Sequence, residues 1–143
     1  MKISSPAFEN GQRIPKQFTC EGEDVSPPLV IKEIPKLTKS LAIIVDDPDA
    51  PNGTFDHWLA WNFPLKELIV ERVRAPVQGV NHFGEARYRG PCPPRGTPHR
   101  YFFRVFALST KLTLAAGSTR YELEKAMKDH ILAQAYMIGI YQR

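Results

Sequence analysis

The chain has 143 residues, the length of one domain (residues 1–143) that buries roughly two-thirds of its unfolded surface. Hydrophobic residues make up 43% and charged residues 24%, and no apolar run approaches the roughly 20 residues of a membrane-spanning helix, so a transmembrane segment is excluded. A net charge of +4, with basic and aromatic residues interleaved only from Arg100 to Arg104, is too weak and too local to predict nucleic-acid binding; it suits a local positive field for a small anion.

Met1-Lys2-Ile3-Ser4-Ser5-Pro6 leads into no apolar segment, so no secretory leader is expected and the expected location is cytoplasmic. Gly22 to Pro28 reads as a polar loop feeding a short strand, Leu29-Val30-Ile31. Ser40 to Asp46 is an uninterrupted, β-branched run and predicts a buried strand. It ends abruptly, because Asp47-Pro48 and Ala50-Pro51 remove two amide donors and force the residues before them into extended geometry. Asn52-Gly53 turns the chain, and His57 to Phe63 forms the next strand, stopped by Pro64. Gln78 to Pro98, rich in proline, glycine and aromatic residues, predicts a long ordered loop. Tyr101 to Leu108 is a further apolar strand. Thr119-Arg120-Tyr121-Glu122 is a capping box opening a helix to about His130, with Leu123, Ala126 and Met127 as its apolar stripe. Ala133 to Tyr141 returns to strand. Many strands and one clear helix near the C-terminus predict a mostly β chain, two antiparallel sheets packed as a sandwich.

Cys20 and Cys92 stand alone, with no zinc spacing, and read as two small apolar side chains in a reducing compartment; spacing leaves a disulfide open. No nucleophile elbow, phosphate loop, dinucleotide fingerprint or His-Glu-x-x-His is present, so neither an enzyme nor a resident metal or cofactor is expected. The ionisable residues at strand ends beside aromatics are Asp47, Asp49, His57 and His99, with Tyr101 next to the last. Imidazoles and a phenol can donate to an anion, and a carboxylate beside a histidine fixes its tautomer. Such a cluster suits a phosphate, sulfate or acetate group, with affinity expected to fall between pH 6 and pH 8. Spacing alone does not bring the residues together, since His99 lies far along the chain from His57.

Two segments resemble the signatures of the phosphatidylethanolamine-binding protein family, also called Raf kinase inhibitor-like proteins. Asp47-Pro48-Asp49-Ala50-Pro51 with His57-Trp58-Leu59-Ala60-Trp61-Asn62-Phe63-Pro64 is similar to the first; Gly90-Pro91, Pro93-Pro94, Gly96 and His99-Arg100-Tyr101 are similar to the second. Gly22 to Leu29 and Gln78 to Gly84 are similar to the bacterial and archaeal branch. The resemblance implies that Asp47, His57, His99 and Tyr101 are anion-pocket residues, that Asp49 shapes the same loop, and that Pro51, Trp58, Pro91 and Pro93 are walls or stiffeners of the pocket lip. From the residues themselves, Pro48, Pro51, Pro91, Pro93 and Pro94 should make that lip rigid, with at least one cis peptide among them. The resemblance also implies a ligand that is a small anion or phospholipid headgroup, in a monomer or homodimer. Its alternative is inhibition of a kinase or serine protease through residues 90–98. The chain stops at Arg143, where eukaryotic members continue into a helix beside the pocket, and this implies a more open pocket here and argues against kinase inhibition.

Overall fold

The strand Ser40–Asp47 (β3) explains the layering, because every one of its residues is buried. In a computed structural model describing residues 1–143, alternation sends Leu41, Ile43 and Val45 to one face and Ala42 and Ile44 to the other, each within its own apolar cluster. An uninterrupted apolar run is what a strand covered on both faces requires.

The chain runs β1 (Lys2–Ser4), a 3-10 turn (Lys16–Phe18), β2 (Leu29–Lys32), β3, β4 (Phe55–Phe63), β5 (Leu68–Ile69), β6 (Val77–Gln78), β7 (His99–Leu108), α1 (Arg120–Met127) and β8 (Ile131–Tyr141). An antiparallel five-stranded sheet has the order β6-β4-β3-β7-β8; a second, three-stranded one has the order β1-β2-β5. The main core lies between them, with Leu29 and Ile31 of the small sheet against Leu41, Ile43 and Val105 of the large one. The outer face of the large sheet is covered by α1, whose Leu123 and Met127 close over Ala42, Ile44, Leu59 and Trp61. The expected β-sandwich with one late helix is the observed architecture.

Four features depart from the sequence reading. The capping box at Thr119 and Glu122 forms in both directions, but the helix ends at Met127, because β8 begins at Ile131 and takes the following residues into its pairing with β7. The two- and three-residue strands β1, β5 and β6 are too short to leave a periodic signal. Cys20 and Cys92 are not separate apolar side chains; they form a disulfide, and their Cα atoms are 5.4 Å apart. No peptide bond is cis. Chain reversal in the two proline-rich loops falls to Gly53 and Gly96, whose positive φ is accessible without strain only to glycine, so no cis proline is needed.

Candidate functional site

At the C-terminal end of β3 the alternation that built the core continues into two carboxylates and parts them. Asp46 faces the helix side, where Arg104 binds it through Nε and Nη2 and Arg120 through Nη1. Asp47 faces the sandwich side, and its two oxygens do different work: Oδ1 accepts the amide of Asp49 at 2.8 Å and so shapes the turn, while Oδ2 takes Nδ1 of His99 at 2.6 Å.

His57 reaches the same side only through an irregularity in β4. Val45 pairs with Trp58 and Asp46 with Asp56, leaving His57 without a partner across the strand. Regular alternation would have put His57 with Leu59 and Trp61 on the helix face. The extra residue reverses the parity, as bulges beside functional sites do. Asp56 is thereby sent to the helix side, where it joins Asp46 on Arg120, and His57 enters the cleft. Along β7, His99 and Tyr101 need no such device, since they occupy the inward positions that continue as Phe103 and Val105.

The result is a cleft of about 500 Å³ at one end of the sandwich. His57, Tyr101 and His99 form its polar wall, with the Tyr101 ring 5.3 Å from that of His57 and stacked at 6.4 Å on that of His99. Phe55 and Phe83 form an apolar wall 4.8 Å apart, and Pro51 and Pro94 stand at the opening. A carbonyl can only accept, so the 2.7 Å contact between His57 Nδ1 and the Arg89 carbonyl makes Nδ1 the donor. In both histidines Nδ1 is thus held by a fixed acceptor, and Nε2 is the nitrogen left without a protein partner. Burial lowers the pKa of His57, against the opposing pull of the Arg89 carbonyl and the Asp47 and Asp24 carboxylates. Burial and the neighbouring Asp47 raise that of Tyr101, which therefore enters the cleft as a neutral hydroxyl. No three His, Cys, Asp or Glu side chains are arranged to hold a metal ion.

The other expected residues have distinct places. Asp49 does not line the cleft. It accepts the Arg100 backbone amide, Nε and Nη2 at 2.9 Å each, and the guanidinium draws its carboxyl down to about 2. Pro51 lines the opening, whereas Trp58 lies in the main core with its indole N–H on Gln78 Oε1. Pro91 and Pro93 are buried and act through their carbonyls: that of Pro91 accepts the Cys20 amide, and that of Pro93 accepts Arg143 Nε. Gly90 has a steric reason, because a Cβ there would overlap the Phe18 carbonyl, and its amide is held by Asp24 Oδ1. Phe55, His82, Phe83, Cys92 and Pro94 also line the cleft, although none of them was expected as a site residue. The Asn81-His82-Phe83-Gly84 run carried a signal: Asn81 is buried and organises its loop through Arg87, Phe83 and Glu85.

A two-sheet β-sandwich with a half-apolar, histidine-lined cleft at one end is thus the class of molecule that fold and site define. The family model described as phosphatidylethanolamine-binding protein matches residues 4–142, so the chain belongs to that family. Similar proteins include a UPF0098 protein of Pyrococcus abyssi, 52% identical over all of this chain and 85% of the relative, and one of Aquifex aeolicus, 47% identical over all of this chain and 89% of the relative. Among solved structures, a putative phosphatidylethanolamine-binding protein homolog from Chlamydia trachomatis superposes with a TM-score of 0.94 at 38% identity, covering 99% of this chain and 97% of that one. YbcL of E. coli, described as a member of the mammalian family, gives 0.91 at 30% identity, covering 99% and 98%.

Proposed function

We propose that the cleft binds a small anionic group of the phosphate type, as a free anion or a phospholipid headgroup, without turning it over. The observation that carries this reading is the convergence of His57, His99 and Tyr101 on one cleft, with both imidazoles anchored through Nδ1 and presenting Nε2. A group held between them would accept from the Tyr101 hydroxyl and, with His99 as an imidazolium paired with Asp47, from His99 Nε2–H as well. It would meet an Nε2 lone pair on neutral His57, so a protonated phosphoryl oxygen fits that corner better than a bare one. The cleft volume exceeds what a phosphate fills, and the Phe55–Phe83 wall suits an apolar substituent on the anion.

A charge-assisted hydrogen bond contributes about 1.5–3 kcal/mol, so His99→Ala is expected to weaken phosphoethanolamine binding at least tenfold in calorimetric titration, with the far-ultraviolet spectrum unchanged. Equal affinity in the two proteins would refute the assignment. Hydrolysis of phosphoester or acyl-ester substrates by the wild-type protein would refute the absence of turnover.

A second reading, inhibition of a serine protease or kinase through residues 90–98, draws on a different feature. The tip from Pro94 to Pro98 is exposed, yet its base is tied by the Cys20–Cys92 bridge and by Arg143 on Pro93, and the tip itself by Gln142 on Gly96. A tethered loop loses little entropy on docking. Screening against proteases and kinases, with cleavage of the tip as a further readout, tests this reading; no inhibition across the panel would remove it.

A further inference from the structure

β8 is an outer strand of the large sheet, and its free edge is only half covered. The segment 10–14 runs along the upper part. There the Ile138 amide donates to Asn10 Oδ1 and its carbonyl accepts from Gly11; the Ile140 amide and carbonyl bond Gln12 and Ile14. Below, β8 pairs regularly with β7 from Ala133 upward, then bulges at Leu132, since Ala107 pairs with Ala133 and Leu108 with Ile131. Backbone groups change sides with a period of two along a strand. Gln134 and Tyr136 therefore direct their amides and carbonyls to the same edge as Ile138 and Ile140, and nothing in the chain takes them.

The open edge is thus residues 133–137, with the bulge at 132 and the strap at 138 equidistant from Ala135. Between those two features it lacks the charges and prolines that usually guard an open edge, because residues 131–141 contain neither. Ile131 and Leu132 are exposed beside it, as is Tyr136 at 58%.

We propose that this edge is a homodimer interface: β8 of one copy pairs antiparallel with β8 of a second about a two-fold axis through Ala135, joining the two large sheets into one. In this register Gln134 of each copy faces Tyr136 of the other, and the four free amides meet the four free carbonyls with none left over. Centring the axis on Gln134 would instead set Tyr136 against the bulged Leu132. The close central pair needs a small side chain, and alanine supplies it at 135 and again at 133. Ile131 and Leu132 of each copy come to rest against the start of the other's strap. A second copy fits this edge better than an unrelated strand because the open stretch is its own mirror in length, in bounding features and in hydrogen-bonding groups. Four backbone bonds and a few apolar side chains make a small interface, so a micromolar dissociation constant is expected.

Sedimentation equilibrium on the wild-type protein at about 100 µM, where a micromolar dimer is nearly saturated, is expected to give twice the chain mass. Tyr136→Lys places a charge on the edge, and Gln134→Pro removes a donor that makes no bond within the chain; both should sediment as monomers with unchanged circular dichroism. Both native cysteines are bonded, so Ala135→Cys adds a single thiol that should link two chains on mild oxidation, whereas Tyr121→Cys on the exposed helix face should not. A wild-type monomer at this concentration, a dimer surviving in both edge variants, or linkage through position 121 in place of 135 would each overturn the proposal.

Discussion

Residue by residue, the cleft is governed by which nitrogen of each histidine is already engaged. His57 spends Nδ1–H on a backbone carbonyl and is kept neutral by burial; His99 spends Nδ1–H on Asp47. Sulfate has no proton to offer at neutral pH, so His57 can contribute to sulfate binding only as an imidazolium. A bound sulfate raises the pKa of His57, so affinity increases as pH falls through the raised value and levels off below the unliganded one. The unliganded value is itself below 6.5, which moves the window to the acid side of the pH 6 to 8 expected from the sequence. Calorimetric titration of sulfate from pH 7.5 to pH 5 should therefore show tightening mainly below about 6.5. His57→Asn, which keeps a donor for the Arg89 carbonyl, should flatten that rise. Affinity that is unchanged across the range in the wild-type protein would show that neutral donors alone hold the ion.

At the level of elements, the two faces of the large sheet are secured by different chemistry. The inner face is apolar. The outer face carries an ionic cluster in which Arg120, from the first turn of α1, bridges buried Asp46 and Asp56 at 2.7 and 2.8 Å. Removing one partner of a buried ion pair leaves an uncompensated charge, a loss of roughly 3–5 kcal/mol. Arg104 still serves Asp46, so Arg120→Ala is expected near the lower end of that range, at about 3 kcal/mol in urea unfolding. Lys125→Ala, from an exposed position of the same helix, should stay within about 0.5 kcal/mol. Equal effects would mean that α1 is held by Leu123 and Met127 alone.

Across the whole molecule, the lip of the cleft is tied to distant parts of the chain. The Cys20–Cys92 bridge closes a loop with a sequence separation of 72, and Asp24 holds both the Gly90 amide and Arg89 Nε. In the loop-entropy account a bridge of that span contributes about 4 kcal/mol. Cys20→Ser with Cys92→Ser should lower the melting temperature by roughly 10 °C or more, and dithiothreitol should do the same to the wild-type protein. The double variant should also bind phosphoethanolamine more weakly, because the ordering of the lip is then left to binding. Identical melting with and without reductant would show that the bridge adds nothing to stability.

What the sequence determined by itself is whatever a local rule controls. The β-branched run at β3, the proline stops at Pro48, Pro51 and Pro64, and the reciprocal cap at Thr119 and Glu122 each act within a few residues, and each is visible without tertiary contacts. The family motifs added a fold and a set of site residues. Tertiary structure alone decided the rest. The bulge that turns His57 into the cleft depends on the register of β4 against β3, which no periodicity within β4 encodes. The parting of Asp46 from Asp47 follows from alternation, but their separate partners, Arg120 and His99, arrive from elements far along the chain. The cysteines could be joined only once the 3-10 turn at Lys16–Phe18 and the Gly90–Pro91 lip were packed together, because sequence separation says nothing about Cα distance.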